Sequence, residues 1–325
     1  MSVSVVVPIY DEADNIPLLY EAVTSVMQRM RIRYEIIFVN DGSKDDSDQR
    51  LDDLAKRDSL VRLIEFRKNY GQTAAMQAGI QAASMDTVVL LDGDLQNDPN
   101  DIPHLLAKLE EGFDLVHGWR KDRQDSFIAR KLPSKIANWL ISRVTGFRAH
   151  DIGCTLKAIR TEIAQELDLY GEMHRFIPIL AHWRGARCAE VETTHHPRLF
   201  GESKYGISRT LRVLLDLVTV KYLIHYSASP MKLFGSIGLG NFLVSSILGV
   251  SAVWIKLGSG VELTGNLVLF LAALFSLAGL QFLFFGILGE LCSRIYFASQ
   301  NKTNYAIRRT MNFEVSTIPF RHRAA

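Results

Sequence analysis

The chain has 325 residues, 48% hydrophobic and 22% charged, with a formal net charge of +2. That length holds one large domain with an appendage, or two domains, and the composition is that of a folded protein, not a disordered one. The near-neutral charge excludes a general affinity for nucleic acid. Cys154, Cys188 and Cys292, odd in number and widely spaced, match neither a zinc site nor a disulfide framework, so small buried residues in a reducing compartment are expected.

The first residues, Met1 to Val5, contain no basic region and no leader-like apolar segment, so no signal peptide is expected. Val3 to Val7 reads as a buried strand that breaks at Pro8 into the polar loop Ile9-Tyr10-Asp11-Glu12. Asn15 is positioned to cap a helix over about 16–31, whose apolar face carries Leu18, Leu19, Ala22, Val23 and Val26. A second strand, Tyr34 to Val39, ends at Asn40-Asp41-Gly42-Ser43, and a charged helix follows over about 46–57. Val61 to Glu65 is a third strand, leading into a loop and a helix near 73–83. The fourth, Val88-Val89-Leu90-Leu91, is apolar throughout, as in a strand buried on both faces, and stops at Asp92-Gly93-Asp94-Leu95-Gln96.

Strand and helix alternate at short spacing, the pattern of parallel βαβ units with right-handed crossovers. Tyr10/Glu12, Asp41 and Asp92/Asp94 therefore fall at one carboxyl edge, where open α/β sheets bind ligands. Two carboxylates one residue apart repel each other unless a cation sits between them, and Mg²⁺ or Mn²⁺ suits hard oxygen ligands of this kind. A bare Asp-x-Asp is more often a solvated turn; it is the convergence of the other strand ends that makes it a site. No G-x-G-x-x-G follows the first strand and no P-loop appears, which argues against a dehydrogenase or a P-loop NTPase.

Beyond this, Asn100 or Asp101 is expected to cap a helix, Asp114 to Trp119 reads as a strand, and a helix is expected over about 127–144. His150-Asp151-Ile152-Gly153-Cys154 is a third acidic point, followed by helices near 162–167 and 174–183 and a last strand over 188–193. His195-His196 leads into the glycine-punctuated stretch Arg198-Leu199-Phe200-Gly201-Glu202-Ser203-Lys204-Tyr205. Residues 208–226 are amphipathic at helical spacing. Leu233 to Ile255 and Leu263 to Gly289 contain no charged residue, and each exceeds the ~20 residues that cross a bilayer. Ser245/Gly249 and Ala272/Ser276 can seat one helix on the other. Arg209, Arg212, Lys221 and Lys232 precede the hairpin and Arg294, Lys302, Arg308 and Arg309 follow it, against Lys256 alone in the link. That bias puts both termini and the sheet domain on the cytoplasmic side.

The motifs Val7-Pro8-Ile9-Tyr10-Asp11-Glu12, Val39-Asn40-Asp41-Gly42-Ser43, Asp92-Gly93-Asp94-Leu95-Gln96, Asp151-Ile152-Gly153-Cys154 and Arg198 to Tyr205 together resemble those of the polyprenyl-phosphate glycosyltransferases. The likeness extends over nearly the whole chain, and the two-span layout is most similar to the bactoprenol glucosyltransferase branch of the inverting GT-A enzymes. One departure is Asn97-Asp98-Pro99, where Asp-Pro-Pro is expected directly after the Asp-x-Asp loop.

The resemblance implies an α/β fold: a GT-A Rossmann-like, mainly parallel sheet domain (1–207), an amphipathic interface helix (208–231), a transmembrane hairpin (232–256 and 262–290) and a cytoplasmic tail (291–325). It implies transfer of a hexose, with UDP-glucose the first expectation, to undecaprenyl or dolichyl phosphate with inversion, in the bacterial plasma membrane. It implies that Pro8, Tyr10, Glu12, Asp41, Asp92 and Arg198 hold the nucleotide-sugar. Asp92, Asp94 and Gln96 meet the metal and the diphosphate, and Asp92, Asp94 and Asp151 form the catalytic set. Arg120, Arg130, Ser134, Arg198 and Lys204 bind the acceptor phosphate. GDP-mannose or a UDP-amino sugar are the alternative donors, a homo-oligomer is left open, and a nucleotide-sensing membrane scaffold without chemistry is the rival from another class. A transporter would carry charge within its spans, and a processive polysaccharide synthase would need more spans and a Q-x-x-R-W-type motif.

Overall fold

The structure, a computed structural model, describes residues 1–121, 147, 149–169, 173–197, 222, 230–259, 266–298 and 305–313. Its strands are β1 Ser2–Ile9, β2 Arg33–Asn40, β3 Val61–Phe66, β4 Thr87–Leu90, β5 Leu115–Trp119, β6 Lys157–Arg160, β7 Cys188–Glu192 and β8 Ile307–Met311. Its helices are α1 Asn15–Met30, α2 Ser47–Arg57, α3 Gln72–Ala82, α4 Ile102–Glu110, α5 Thr161–Gln165, α6 Ile177–Trp183, α7 Pro230–Ser259 and α8 Leu267–Ala298. The chain divides into two compact units, one holding the sheet with β8, the other α7 and α8.

The sheet runs β7-β5-β6-β4-β1-β2-β3-β8. β1 pairs in parallel with β2 and β4, β2 with β3, and β5 with β7. The expected βαβ reading thus holds for the first four strands, and the sheet is mixed beyond them. β6, which the sequence pattern had not marked as a strand, inserts antiparallel between β4 and β5. Its four residues, Lys-Ala-Ile-Arg, are too short and too charged to show a strand period. β8 closes the other edge, antiparallel to β3; it lies within the segment expected as a tail.

Val5, Val6 and Val7 of β1 and Val88, Val89 and Leu90 of β4 are wholly buried, because these central strands are covered on both faces. Each such side chain contributes roughly 1.5–3 kcal/mol. α3 is rich in small residues, with four Ala and one Gly among its eleven residues, and a Cβ on Gly79 would strike Val6, so glycine is what lets this helix lie directly on β1. α1 begins at Asn15 rather than being capped by it: Asn15 donates its backbone N–H to Glu12 O and its side-chain amide to the Glu12 carboxylate. Asp101 stands at the N-cap of α4 as expected, without a side-chain cap bond, while Asp98 caps the 3₁₀ turn before it and accepts the Asn100 N–H. Of the cysteines, Cys154 is buried, Cys188 half-buried and Cys292 exposed on its helix.

In the second unit, α7 and α8 are long and apolar enough to cross a bilayer over Pro230–Gly258 and Leu267–Cys292. They pack antiparallel. Gly286 meets Met231, Gly279 and Gly238 come within close backbone approach, and Ser245 Oγ donates to Ala272 O at 2.7 Å. The Ser245/Ala272 pairing matches the expected seam, but a side chain at Gly249 would meet open space, while Gly238, Gly279, Gly286 and Gly289 each lie against the facing helix. Asn241, Ser246 and Ser251 bond to carbonyls of their own helix, which satisfies these polar groups within it. Large apolar side chains such as Leu243, Val250, Trp254, Leu277 and Leu288 remain exposed.

Candidate active site

Three neighbouring parallel strands, β4, β1 and β2, end side by side, and the loops after them build one cleft. It is lined by Pro8, Ile9, Tyr10, Glu12 and Asp41, by Asn69, Gly71 and Gln72 at the start of α3, and by Asp92, Gly93 and Asp94. The loops after β1 and β2 are zipped together. Asp41 N donates to Ile9 O at 2.8 Å, Asp11 N to Ser43 Oγ at 3.0 Å and Lys44 N to Asp11 Oδ1 at 2.7 Å. Gly42 is obligatory here: its φ is +66° and a Cβ would lie 2.5 Å from the Lys68 carbonyl carbon.

Asp41 accepts Tyr70 N–H at 2.7 Å on one carboxylate oxygen and Gly71 N–H at 2.9 Å on the other. It thereby holds the loop before α3, and each oxygen keeps a lone pair for a ligand in the cleft. Burial is the larger influence and pushes its pKa up to about 6, against these two bonds. Gln72, at the positive end of α3, donates to Asp92 Oδ1 at 2.7 Å. An anion in the cleft would sit against that helix terminus.

Asp92 and Asp94 stand at the end of β4, with Asp94 accepting the Gln96 N–H at 3.2 Å. Leu95 between them and Gln96 has φ +58°, a strained setting for a branched side chain and one that persists where surrounding contacts hold it. Desolvation first, and Asp94 second, push the Asp92 pKa up to about 6, while Thr155, Lys157 and Arg120 act the other way. Two hard carboxylates side by side, with the Gln96 amide two residues after Asp94, fit a Mg²⁺ or Mn²⁺ ion, which takes oxygen ligands of this kind. Among the described residues no group of three or more His, Cys, Asp and Glu is placed to hold a metal ion.

On the other side of Asp92, Arg120 follows β5 and Asp151 precedes β6. Arg120 Nε and Nη2 donate to the two Asp151 oxygens at 2.7 and 3.0 Å. This bidentate pair is nearly buried, at 13% and 7% side-chain exposure. Asp151, expected in the catalytic set, has its carboxylate engaged by Arg120. Lys157, the one buried lysine among the described residues, donates its ammonium to Cys154 O behind the same carboxylates. Burial lowers its pKa to about 8, with Asp92 and Asp151 opposing.

The chain entering Arg198 is docked on the loop after the Asp-x-Asp. Thr194 N donates to Asp101 Oδ2 at 2.6 Å, His196 N to Gln96 O at 2.9 Å, and His196 Nε2 lies 3.0 Å from Asp98 Oδ2. This gives the Asn97-Asp98-Pro99 departure a role, since Asn97 bridges His195 and Asp98 holds His196. Pro8, Tyr10, Glu12, Asp41, Asp92 and Asp94 thus share one cleft, with Gln96 on the same loop and Arg120 and Asp151 beside it. Arg130, Ser134, Arg198 and Lys204 lie outside the described residues. Gln72, Thr155 and Lys157 were not singled out from sequence, because nothing in their spacing separates them from ordinary helix and strand residues.

Residues 4–168 match the family described as "Glycosyl transferase family 2". The chain belongs to glycosyl transferase family 2. Within this family it is similar to the dodecaprenyl-phosphate galacturonate synthase of Rhizobium johnstonii, 41% identical over 313 residues that cover 95% of this chain and 93% of that one. It is also similar to the undecaprenyl-phosphate 4-deoxy-4-formamido-L-arabinose transferase of Serratia proteamaculans, 38% identical over 95% of this chain and 94% of that one. These relatives make it a glycosyltransferase of the polyprenyl-phosphate sugar synthase group. The sugars they are named for are not glucose. Among solved structures, the glucosyl-3-phosphoglycerate synthase of Mycobacterium tuberculosis in complex with Mn²⁺, uridine diphosphate and phosphoglyceric acid superposes with a TM-score of 0.52. At 19% identity, over 68% of this chain and 78% of that one, it shares the GT-A fold.

Proposed function

We propose that this family 2 enzyme moves a sugar from a UDP-sugar to the phosphate of a membrane polyprenol, with inversion at the sugar carbon. The observation that carries this reading is the convergence of Asp41, Gln72, Asp92 and Asp94 on one cleft at the ends of β4, β1 and β2, with the Arg120–Asp151 pair beside it and two apolar helices in the same chain. Asp41, with Pro8, Tyr10 and Glu12, takes the base and ribose. The start of α3 takes the diphosphate. Asp92, Asp94 and Gln96 would hold Mg²⁺ or Mn²⁺, which when bound offsets charge on the departing diphosphate.

The acceptor oxygen is already anionic near neutral pH, so it attacks the anomeric carbon directly. The new carbon–oxygen bond forms as the bond to the diphosphate breaks, the electron pair leaves with UDP, and no proton has to be moved. What the protein must do instead is bring two anions together. Arg120 is oriented for this: two of its N–H groups are spent on Asp151, and the rest of the guanidinium fork remains for an acceptor phosphate. Arg130, Ser134, Arg198 and Lys204 complete the acceptor side on sequence grounds. Loss of one charge-assisted contact to phosphate costs about 1.5–3 kcal/mol. Lys204→Ala should therefore raise the polyprenyl-phosphate KM roughly ten- to a hundredfold with a smaller effect on the donor.

The deciding experiment incubates the purified enzyme in nanodiscs with undecaprenyl phosphate and labelled UDP-glucose, UDP-galacturonic acid, UDP-4-deoxy-4-formamido-L-arabinose or GDP-mannose, then counts the lipid fraction. UDP-galacturonic acid heads the panel, because the 41% identical relative is named for galacturonate. Label in the lipid with one UDP-sugar supports the reading. Transfer from none of the four, or equal transfer to an alcohol lacking phosphate, overturns it.

A further inference from the structure

We infer that Glu190, on the edge strand β7, is a positioning residue for the acceptor side of the site: it holds the loop whose Asp151 aims Arg120. This rests on the acceptor assignment above. Glu190 lies outside the cleft and belongs to none of the motifs read from the sequence. Yet its carboxylate accepts His150 N–H at 2.8 Å and Asp151 N–H at 3.2 Å on Oε1, and Oε2 lies 2.8 Å from His150 Nδ1. One carboxylate thereby fixes two successive backbone amides and the side chain between them.

The geometry of His150 and Asp151 passes straight to the site. Asp151 grips Arg120 through Nε and Nη2 at 2.7 and 3.0 Å, so the direction of the Asp151 carboxylate sets the direction of the guanidinium plane. The His150 ring stacks on Trp119 with centroids 4.3 Å apart and planes at 20°. Trp119 is the last residue of β5 and pairs with Glu192 of β7, so the clamp ties both ends of the Arg120–Asp151 pair to one strand edge. His117 lies beneath Glu190, with its Nδ1 at 3.7 Å from Oε1. It is 1% exposed, and burial pushes its pKa down to about 4. It therefore stays uncharged near neutrality and leaves the carboxylate to the loop.

The chemistry predicts how substitutions differ. Glu190→Gln keeps an oxygen for both backbone amides and places its amide against His150 Nδ1, which accepts in one tautomer, so it preserves the clamp. Glu190→Ala removes every one of these bonds. The loop can then shift by about 1 Å, a displacement that can cost on the order of a hundredfold when it misplaces a group at the reacting centre. The donor side, built on Asp41 and α3, is anchored elsewhere.

The test compares wild type, Arg120→Ala, Glu190→Ala and Glu190→Gln, full-length in nanodiscs. It varies undecaprenyl phosphate and the accepted UDP-sugar separately and follows amide exchange at residues 149–153. Expected for Glu190→Ala is a rise of about tenfold or more in the acceptor KM, a donor KM within about twofold of wild type, and exchange about tenfold faster at His150 and Asp151. Glu190→Gln should stay within about threefold of wild type on all counts. The inference is overturned if Arg120→Ala raises the acceptor KM while Glu190→Ala does not, if Glu190→Ala shifts donor and acceptor alike, or if exchange in the loop is unchanged. A wild type that transfers nothing to polyprenyl phosphate, or an Arg120→Ala variant with an unaltered acceptor KM, instead sinks the acceptor assignment, and this inference falls with it.

Discussion

Asp94 is 8% exposed and accepts the Gln96 amide of its own turn. Asp94→Asn keeps that turn and removes a charge from the cleft. Transfer should fall by at least two orders of magnitude while the unfolding midpoint stays within a few degrees. EDTA should silence the wild type, and added Mg²⁺ or Mn²⁺ should restore it; full turnover in EDTA would refute a metal role. Asp41 behaves differently, because its two oxygens hold the Tyr70 and Gly71 amides. Asp41→Asn points an N–H at one of those donors and leaves it unsatisfied, a cost of about 1–3 kcal/mol. Both stability and UDP-sugar affinity should drop, seen as a lower denaturation midpoint and a donor KM raised roughly tenfold, with the acceptor KM unmoved. At this scale the charged ends of strands were legible in the sequence because the alternation of strand and helix brings three of them to one carboxyl edge. Gln72 and Lys157 were not, because their importance comes from where α3 and β6 pack. Nor was the capture of Asp151 by Arg120, which depends on β5 and β6 being neighbours.

Elements were legible where one period dominated. β1, β2 and β4 announced themselves as β-branched runs, and the alternation with α1, α2 and α3 gave the parallel half of the sheet. β6 and β8 were hidden for a shared physical reason. Each is short, rich in Lys or Arg, and made a strand by its neighbours' open edges rather than by its own propensity. β8 shows this most clearly. Arg309 pairs with Glu65, Asp48 and Asp52, and Arg308 with Glu65 at 2.9 Å, so charges that read as a solvated tail satisfy a carboxylate that is 4% exposed. At its end, Asn312 has φ +61° and donates its side-chain amide to Ala55 O and Val61 O, both at 2.7 Å. Asn312→Ala forfeits both bonds at a backbone angle that disfavours alanine. It should destabilise the sheet domain by about 1–3 kcal/mol, measured by urea denaturation of the detergent-solubilised protein. An unchanged midpoint would mean that β8 contributes little to stability.

For the whole molecule, the decisive feature is that β8 comes after both apolar helices and yet belongs to the same sheet as β1 to β7. A single domain cannot lie on both sides of a bilayer, so the hairpin must cross an even number of times. That argument is independent of the distribution of Lys and Arg that the sequence offered. Reporter fusions at Met1 and Ala325 should therefore read the same side, and a tag in the link after Gly258 the opposite one; a split result would mean that only one helix spans. The return of the chain also imposes an order on biosynthesis. β3 leaves the ribosome roughly 240 residues before β8, which at ~5–20 residues per second is about 12–50 s. Throughout that interval the β3 edge is an unpaired ladder of the kind that recruits other chains, and Glu65 lacks its arginines. The last strand can arrive only once α7 and α8 have emerged ahead of it. Completion of the sheet thus becomes a late event, timed by insertion into the membrane, and the enzyme reaches its final form only where its lipid substrate resides.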